Sequence, residues 1–262
     1  MALPNGIRPG WWKKELDRLG EGTLYAPWAK PEITRREVGF LVDVLGVGAG
    51  RSLLDAGCGF GRHSLLLAVA GFRVIGVDVS HILPRLGRKC AASSGIRAEF
   101  STADVAALPF AEGSFGCVIV MAEGGLGYQE TDMANERMLS ELSRVLTPGG
   151  KFVIGVINAG WAASHCPCHK YQLDGGGAAF YRFFFDAKES RLTTDVHSYR
   201  WREHKFHHSR GWVRLYTRDE LTSLLARSGL DVTIALGDNS MDRPYQSDSF
   251  RMVLCGEKRG WV

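Results

Sequence analysis

Residues 53–64 read LLDAGCGFGRHS, and seventeen residues after the last glycine of that run, Gly61, comes Asp78 in VIGVDVS. A short apolar strand, a glycine-dense turn, a helix and a second strand ending in a carboxylate make one βαβ unit. Such a unit holds a nucleoside cofactor, with the carboxylate on the ribose hydroxyls. Dinucleotide sites require G-x-G-x-x-G, whereas here Gly57, Gly59 and Gly61 alternate and Arg62 holds the last position, which disfavours NAD. Alternating glycines let backbone approach a ligand closely, and Asp55 puts negative charge where a pyrophosphate would be repelled. The turn therefore suits a cationic ligand.

On these residues the chain resembles the class I S-adenosylmethionine-dependent methyltransferases of small-molecule type. The family's first motif is similar to LDAGCGFG and its second ends in an acid such as Asp78. Two further stretches extend the resemblance: TADVAALPF (Thr102 to Phe110) and LSRVLTPGGKFVIG (Leu142 to Gly155). It covers roughly residues 52–158, with a weaker match over 216–258. The resemblance implies S-adenosylmethionine as cofactor. It sets the turn of Gly57, Cys58, Gly59 and Gly61 against the methionine end, with Asp55 near the ammonium and Asp78 on the ribose. Asp104 takes the adenine amine, Val79 and Val105 sandwich the adenine ring, and the backbone of Met121 lines the sulfonium pocket. It also makes Tyr25 a candidate contact for the methionine part. Glu123, just past the fourth strand where relatives carry an asparagine or aromatic residue, becomes a candidate for orienting an amine or accepting a proton.

The 262 residues are 45% apolar and carry a formal charge of +4, enough to bury an α/β core and too mild to demand nucleic acid. Short β-branched runs alternate with helical spacing, which predicts a doubly wound, mostly parallel seven-stranded sheet of Rossmann-like type. The strands are expected over 52–56, 73–77, 98–101, 117–121, 151–157, 231–236 and 251–256. The expected organisation is an N-terminal helical and aromatic cap (1–50), a cofactor-binding core (51–158), an inserted substrate cover (159–216) and the rest of the core sheet (217–262). No apolar run reaches the roughly 18 residues of a membrane span, and the N-terminus lacks the apolar stretch of a signal peptide. A cytoplasmic protein with its six cysteines reduced is expected.

Nearly sixty residues separate the fifth strand from the helix near Thr217, far beyond an ordinary connection. Within them, residues 190–201 and 205–216 alternate polar and apolar positions, so an antiparallel hairpin is expected over the mouth of the site. Seven basic residues lie over 191–218 (Arg191, Arg200, Arg202, Lys205, Arg210, Arg214, Arg218) with Trp201 and Trp212 among them. That pattern fits a solvated face or a pocket for an acidic small molecule, and nucleic acid less well. His165, Cys166, Cys168 and His169 lie too close together to wrap one tetrahedral ion, so no metal is expected. Among His197, His204, His207 and His208, one is a candidate general base, and His208 is carried forward with Glu123 as a catalytic candidate.

These readings converge on methyl transfer by in-line displacement to an oxygen, nitrogen or sulfur of a small molecule, with no membrane partner and an open oligomeric state. The alternatives are RNA methylation, disfavoured because no N-P-P-[YF] signature follows the fourth strand, and non-catalytic binding of the cofactor.

Overall fold

A computed structural model describes residues 31–46, 50–122, 125–174, 176–237 and 243–260. Helix α1 (Pro31–Leu45) precedes β1 (Ser52–Ala56), α2 (Arg62–Val69), β2 (Arg73–Asp78), α3 (Leu83–Ser94), β3 (Ala98–Thr102) and β4 (Phe115–Val120). Then come α4 (Asp132–Val145), β5 (Leu146–Ile157) and α5 (Ala159–His165). Strands β6 (Cys168–Asp174), β7 (Gly177–Asp186), β8 (Arg191–Arg200) and β9 (Lys205–Arg214) follow. The chain closes with α6 (Arg218–Arg227), β10 (Leu230–Gly237), β11 (Arg243–Pro244) and β12 (Arg251–Lys258).

The central sheet runs β11-β10-β12-β5-β4-β1-β2-β3. Strands β3, β2, β1, β4 and β5 are parallel, and β12 enters antiparallel between β5 and β10. All seven expected strands are present, and the two-residue β11 adds an eighth at one edge. The inner strands are mostly apolar because both faces are covered. On one side Leu54, Val118, Val120, Phe152 and Ile154 pack under Met138 and Leu139 of α4 and Leu221 and Leu225 of α6. On the other, Leu53, Ile119 and Val153 pack under Leu41 and Leu45 of α1 and Leu67 of α2. No helix among the described residues is long and apolar enough to cross a membrane.

The strand order reverses between β1 and β4, which opens a crevice at the carboxyl ends of the strands. One wall of that region is held by a buried ion cluster. Glu37 of α1 accepts from Arg62 and lies 2.9 Å from His63 Nε2, and Arg62 also donates to Thr34 Oγ1 at 3.0 Å. Burial alone would raise the Glu37 carboxyl, but the hydrogen bonds and charges of His63 and Arg62 outweigh it and hold it at about 2. Burial lowers the His63 imidazole.

The inserted residues form a second sheet, β6-β7-β8-β9, antiparallel throughout. The expected hairpin is its β8–β9 half; β6 and β7 double it. One face, through Leu192, Val213, Phe183 and Phe185, packs on Ala159 and Ala162 of α5. The opposite face carries Arg191 and Arg214 to the loop after β4. Arg191 donates to the Glu130 carbonyl at 3.2 Å, and Arg214 pairs with Asp132 at 3.3 Å. The backbone makes the same junction, since Arg214 N–H donates to the Gly127 carbonyl at 2.8 Å and Gly127 N–H donates to Asn135 Oδ1 at 2.8 Å.

Two consequences can be measured. Glu37→Gln leaves Arg62 and His63 buried without their counter-charge, and should lower unfolding free energy by about 3 kcal/mol at pH 7. The Glu37 carboxyl takes up protons more readily unfolded than folded, so its contribution is complete above its ordinary value of 4.5 and fades as pH falls toward about 2. Denaturant titrations of wild type and variant should therefore converge through that window; a gap that stays constant would show that the pairing is not the source. Gly127 has φ 88°, and a Cβ there would overlap the Arg214 carbonyl oxygen. Gly127→Ala should cost about 2 kcal/mol and speed hydrogen exchange at the Arg214 amide, by loosening the junction of the two sheets.

Candidate active site

The glycine turn leaves β1 with Gly57, Gly59 and Gly61 all at positive φ, a conformation that side chains resist. Its amides are already spoken for. Gly57 and Cys58 N–H both donate to the Val77 carbonyl, at 2.8 and 2.9 Å, and Gly61 N–H donates to the Cys58 carbonyl at 2.9 Å. Gly59 N–H donates to Asp78 Oδ2 at 2.9 Å, while Ser80 N–H donates to Asp78 Oδ1 at 2.9 Å. One carboxylate thus couples the turn after β1 to the turn after β2. A loop that cradles phosphate keeps its N–H groups pointed at the ligand. This turn spends four of them inside the protein and sets a carboxylate beside them, an arrangement suited to a ligand with hydroxyls and positive charge.

Asp55 is buried at the end of β1 and accepts from Ser64 Oγ at 2.6 Å, which fixes the start of α2 against the turn. Burial raises its carboxyl above the usual range, against the pull of His63 and Ser64. Cys58 turns its thiol inward beside Phe100 and Ala91. Burial, with Asp55 and Asp78 nearby, pushes that thiol well up, so it remains a thiol and presents backbone alone at the turn.

Beyond β3, Asp104 is half-buried and accepts from Ala106 N–H at 3.0 Å. This segment is pinned from α4: Glu141 accepts from Leu108 N–H at 2.9 Å, and Arg144 donates to the carbonyls of Leu108 and Phe110 at 3.1 and 2.7 Å. Val79 is half-buried at the end of β2, whereas Val105 is buried in the core on the α4 side. Met121 sends its side chain into the core beneath Gly155, so it too offers backbone at the strand end. Three residues that sequence reasoning overlooked shape this rim. Ala122 holds φ 53°, left-handed without being glycine. Asn135 anchors Gly127. Asn158 is fully buried at the end of β5, caps α5 through Gly160 N–H at 3.1 Å, and donates to the carbonyls of Ser247 and Ser249 at 2.8 and 3.0 Å.

Tyr25 and Glu123 lie outside the described residues. His208 sits on β9 six residues before Arg214, roughly 20 Å along the strand from the junction with the rim, and pairs with Asp195 at 2.7 Å. It is not brought to the glycine turn. His165 and His169 also part company: the first stacks on Trp161, the second packs against Tyr171 and Phe180. Among the basic residues of the insertion, Arg182, Arg191, Arg200 and Arg214 have carboxylate partners within the protein.

Residues 53–150 match the family model of a methyltransferase domain. A demethylmenaquinone methyltransferase of Thermus thermophilus is 34% identical over 108 residues, 40% of this chain and 47% of that protein. A Clavibacter sepedonicus protein of the same name is 37% identical over 106 residues and 41% of its length, so the chain spans under half the length of these curated relatives. Among solved structures, the CcbJ methyltransferase of Streptomyces caelestis aligns with a TM-score of 0.78 at 18% identity, over 92% of this chain and 97% of that one. That likeness spans most of both chains and concerns the fold. Motifs, sheet order and the matched core agree: residues 53–150 match a methyltransferase domain, and the chain shares its fold with a solved methyltransferase.

Proposed function

We propose that the chain binds S-adenosylmethionine at the glycine turn and transfers its methyl group to a heteroatom of a small-molecule acceptor held beneath the second sheet. The observation that carries this reading is the Asp78 carboxylate, nearly buried, accepting from Gly59 and Ser80 while standing at the carboxyl end of β2. Each oxygen accepts a backbone donor at fixed geometry, which holds the carboxylate at the strand end where a ribose would lie in this reading. Asp104, held by the Glu141 and Arg144 contacts around its segment, faces the adenine amine; Val79 and Val105 border the ring; the backbone at Gly57 to Gly61 and Met121 borders the methionine end. The sulfonium cofactor supplies an activated methyl group, so the protein's task is placement. Holding donor and acceptor at attack distance is worth roughly 7 to 11 kcal/mol.

An oxygen or nitrogen acceptor carries its own lone pair and is served by placement alone, which favours it over carbon. The named relatives are demethylmenaquinone methyltransferases, but their match covers only 40% of this chain, and the methyltransferase family model covers residues 53–150. In this reading residues 159–216 form the acceptor cover, tied to the core at Gly127 and Asn158. The internal pairing of four of its basic residues favours a neutral acceptor surface over a strongly anionic one.

Calorimetry with S-adenosylhomocysteine should show binding by wild type and a loss of about 100-fold for Asp78→Ala, the equivalent of charge-assisted hydrogen bonds to two hydroxyls. Equal affinities would overturn the ribose assignment. Incubation with methyl-labelled cofactor and a metabolite extract should move label into a small molecule, whose fragmentation shows methyl on oxygen, nitrogen or sulfur. Label on carbon would correct the acceptor class, and label in RNA alone would overturn the small-molecule reading.

A further inference from the structure

The second sheet holds a cluster of ligating side chains that the methyl-transfer reading does not use. Asp195 and His197 stand two apart on β8 and so share one face, and His208 lies opposite His197 in the β8–β9 register. His208 Nε2 is 2.7 Å and His197 Nε2 is 3.4 Å from the same oxygen, Asp195 Oδ1. The two imidazoles lie side by side, centroids 4.5 Å apart and planes 16° from parallel. One oxygen, one nitrogen and another nitrogen thus converge within 4.8 Å of one another, the only such group of three ligating side chains among the described residues.

We infer that Asp195, His197 and His208 bind a divalent transition-metal ion of the zinc type. Zinc bonds of about 2.0 to 2.2 Å keep neighbouring ligand atoms roughly 3 to 3.5 Å apart, close to the spacings observed from Oδ1. A carboxylate oxygen only accepts, so two imidazoles aimed at it must both carry their proton on Nε2 to bond it, whereas around a cation all three atoms present lone pairs. The carboxylate is held from behind, since Arg182 donates to Oδ2 at 2.6 Å and leaves Oδ1 facing the imidazoles. Asp195 is 8% exposed while the imidazole side chains are 50% and 56% exposed, so an ion has a supported ligand below and an open approach above. Three protein ligands leave at least one position for water or an oxygen donor. The ion ties β8 to β9 at a point far along the strands from the Arg191 and Arg214 contacts with the rim. The site stands apart from the glycine turn and does not depend on the methyl-transfer reading.

The test is titration of chelator-treated full-length protein with zinc ion by calorimetry, and with cobalt ion by visible absorption. Wild type should take one equivalent with cobalt ligand-field bands. His197→Ala and His208→Ala should each weaken binding by more than about 100-fold, while His207→Ala and the pair Cys166→Ser, Cys168→Ser leave it unchanged. Circular dichroism checks that the variants are folded. Independently of any variant, zinc should shift the imidazole resonances of His197 and His208 in wild type and leave His207 in place. No uptake by wild type, uptake that survives loss of both histidines, uptake that vanishes with the cysteines, or zinc shifts confined to other histidines would each overturn the assignment.

Discussion

One carboxylate joining two turns organises the cofactor half of this molecule. Asp78 closes β2 and at the same moment satisfies a glycine amide at the end of β1, so the crevice at the strand-order reversal has a fixed width before any ligand arrives. The Val77 carbonyl takes two more amides of the same turn. With those donors consumed, the turn has fewer amides left to offer a phosphate. Beneath it, Gly76 leaves room for Cys58, Phe100 and Ser64 to crowd together, which is why the backbone can sit so low over the sheet.

A second constraint comes from charge placed where water does not reach. The Glu37, Arg62 and His63 cluster gains little net stability over an apolar packing, because desolvation consumes much of the attraction. Its effect is on orientation: it sets α1 against the first turn of α2, immediately after the last glycine, so the helix that follows the turn cannot roll without breaking a buried pair. Arg62, the residue that replaces the expected dinucleotide glycine, is thereby given work of its own.

The core was legible because its strands are buried on both faces and its ligand-bearing turns are local in sequence: LLDAGCGFG and VIGVDVS contain everything needed to bring Asp78 to Gly59. The insertion was half legible. Residues 191–200 and 205–214 alternate cleanly, but β7 carries Phe183, Phe184 and Phe185 in a row, two facing α5 and one outward, and three like residues erase a period of two. The contacts of Glu37 with Arg62, of Asn158 with Ser247, and of Asp195 with His208 leave no local pattern, since each pairs residues far apart or depends on strand register. The same register explains why His208, singled out from four histidines as a base, proves to belong with Asp195.

The second sheet touches the core through a seam: the Gly127 carbonyl and Arg214 amide, the side-chain contacts of Arg191 with Glu130 and of Arg214 with Asp132 and Glu220, and the apolar contacts of one short helix. Few side chains of the donor half take part in that seam. Changes in the second sheet's sequence can therefore accumulate without disturbing the glycine turn and its bond to Asp78. An architecture joined this way lets the outer sheet vary while the central sheet and its turns stay as they are.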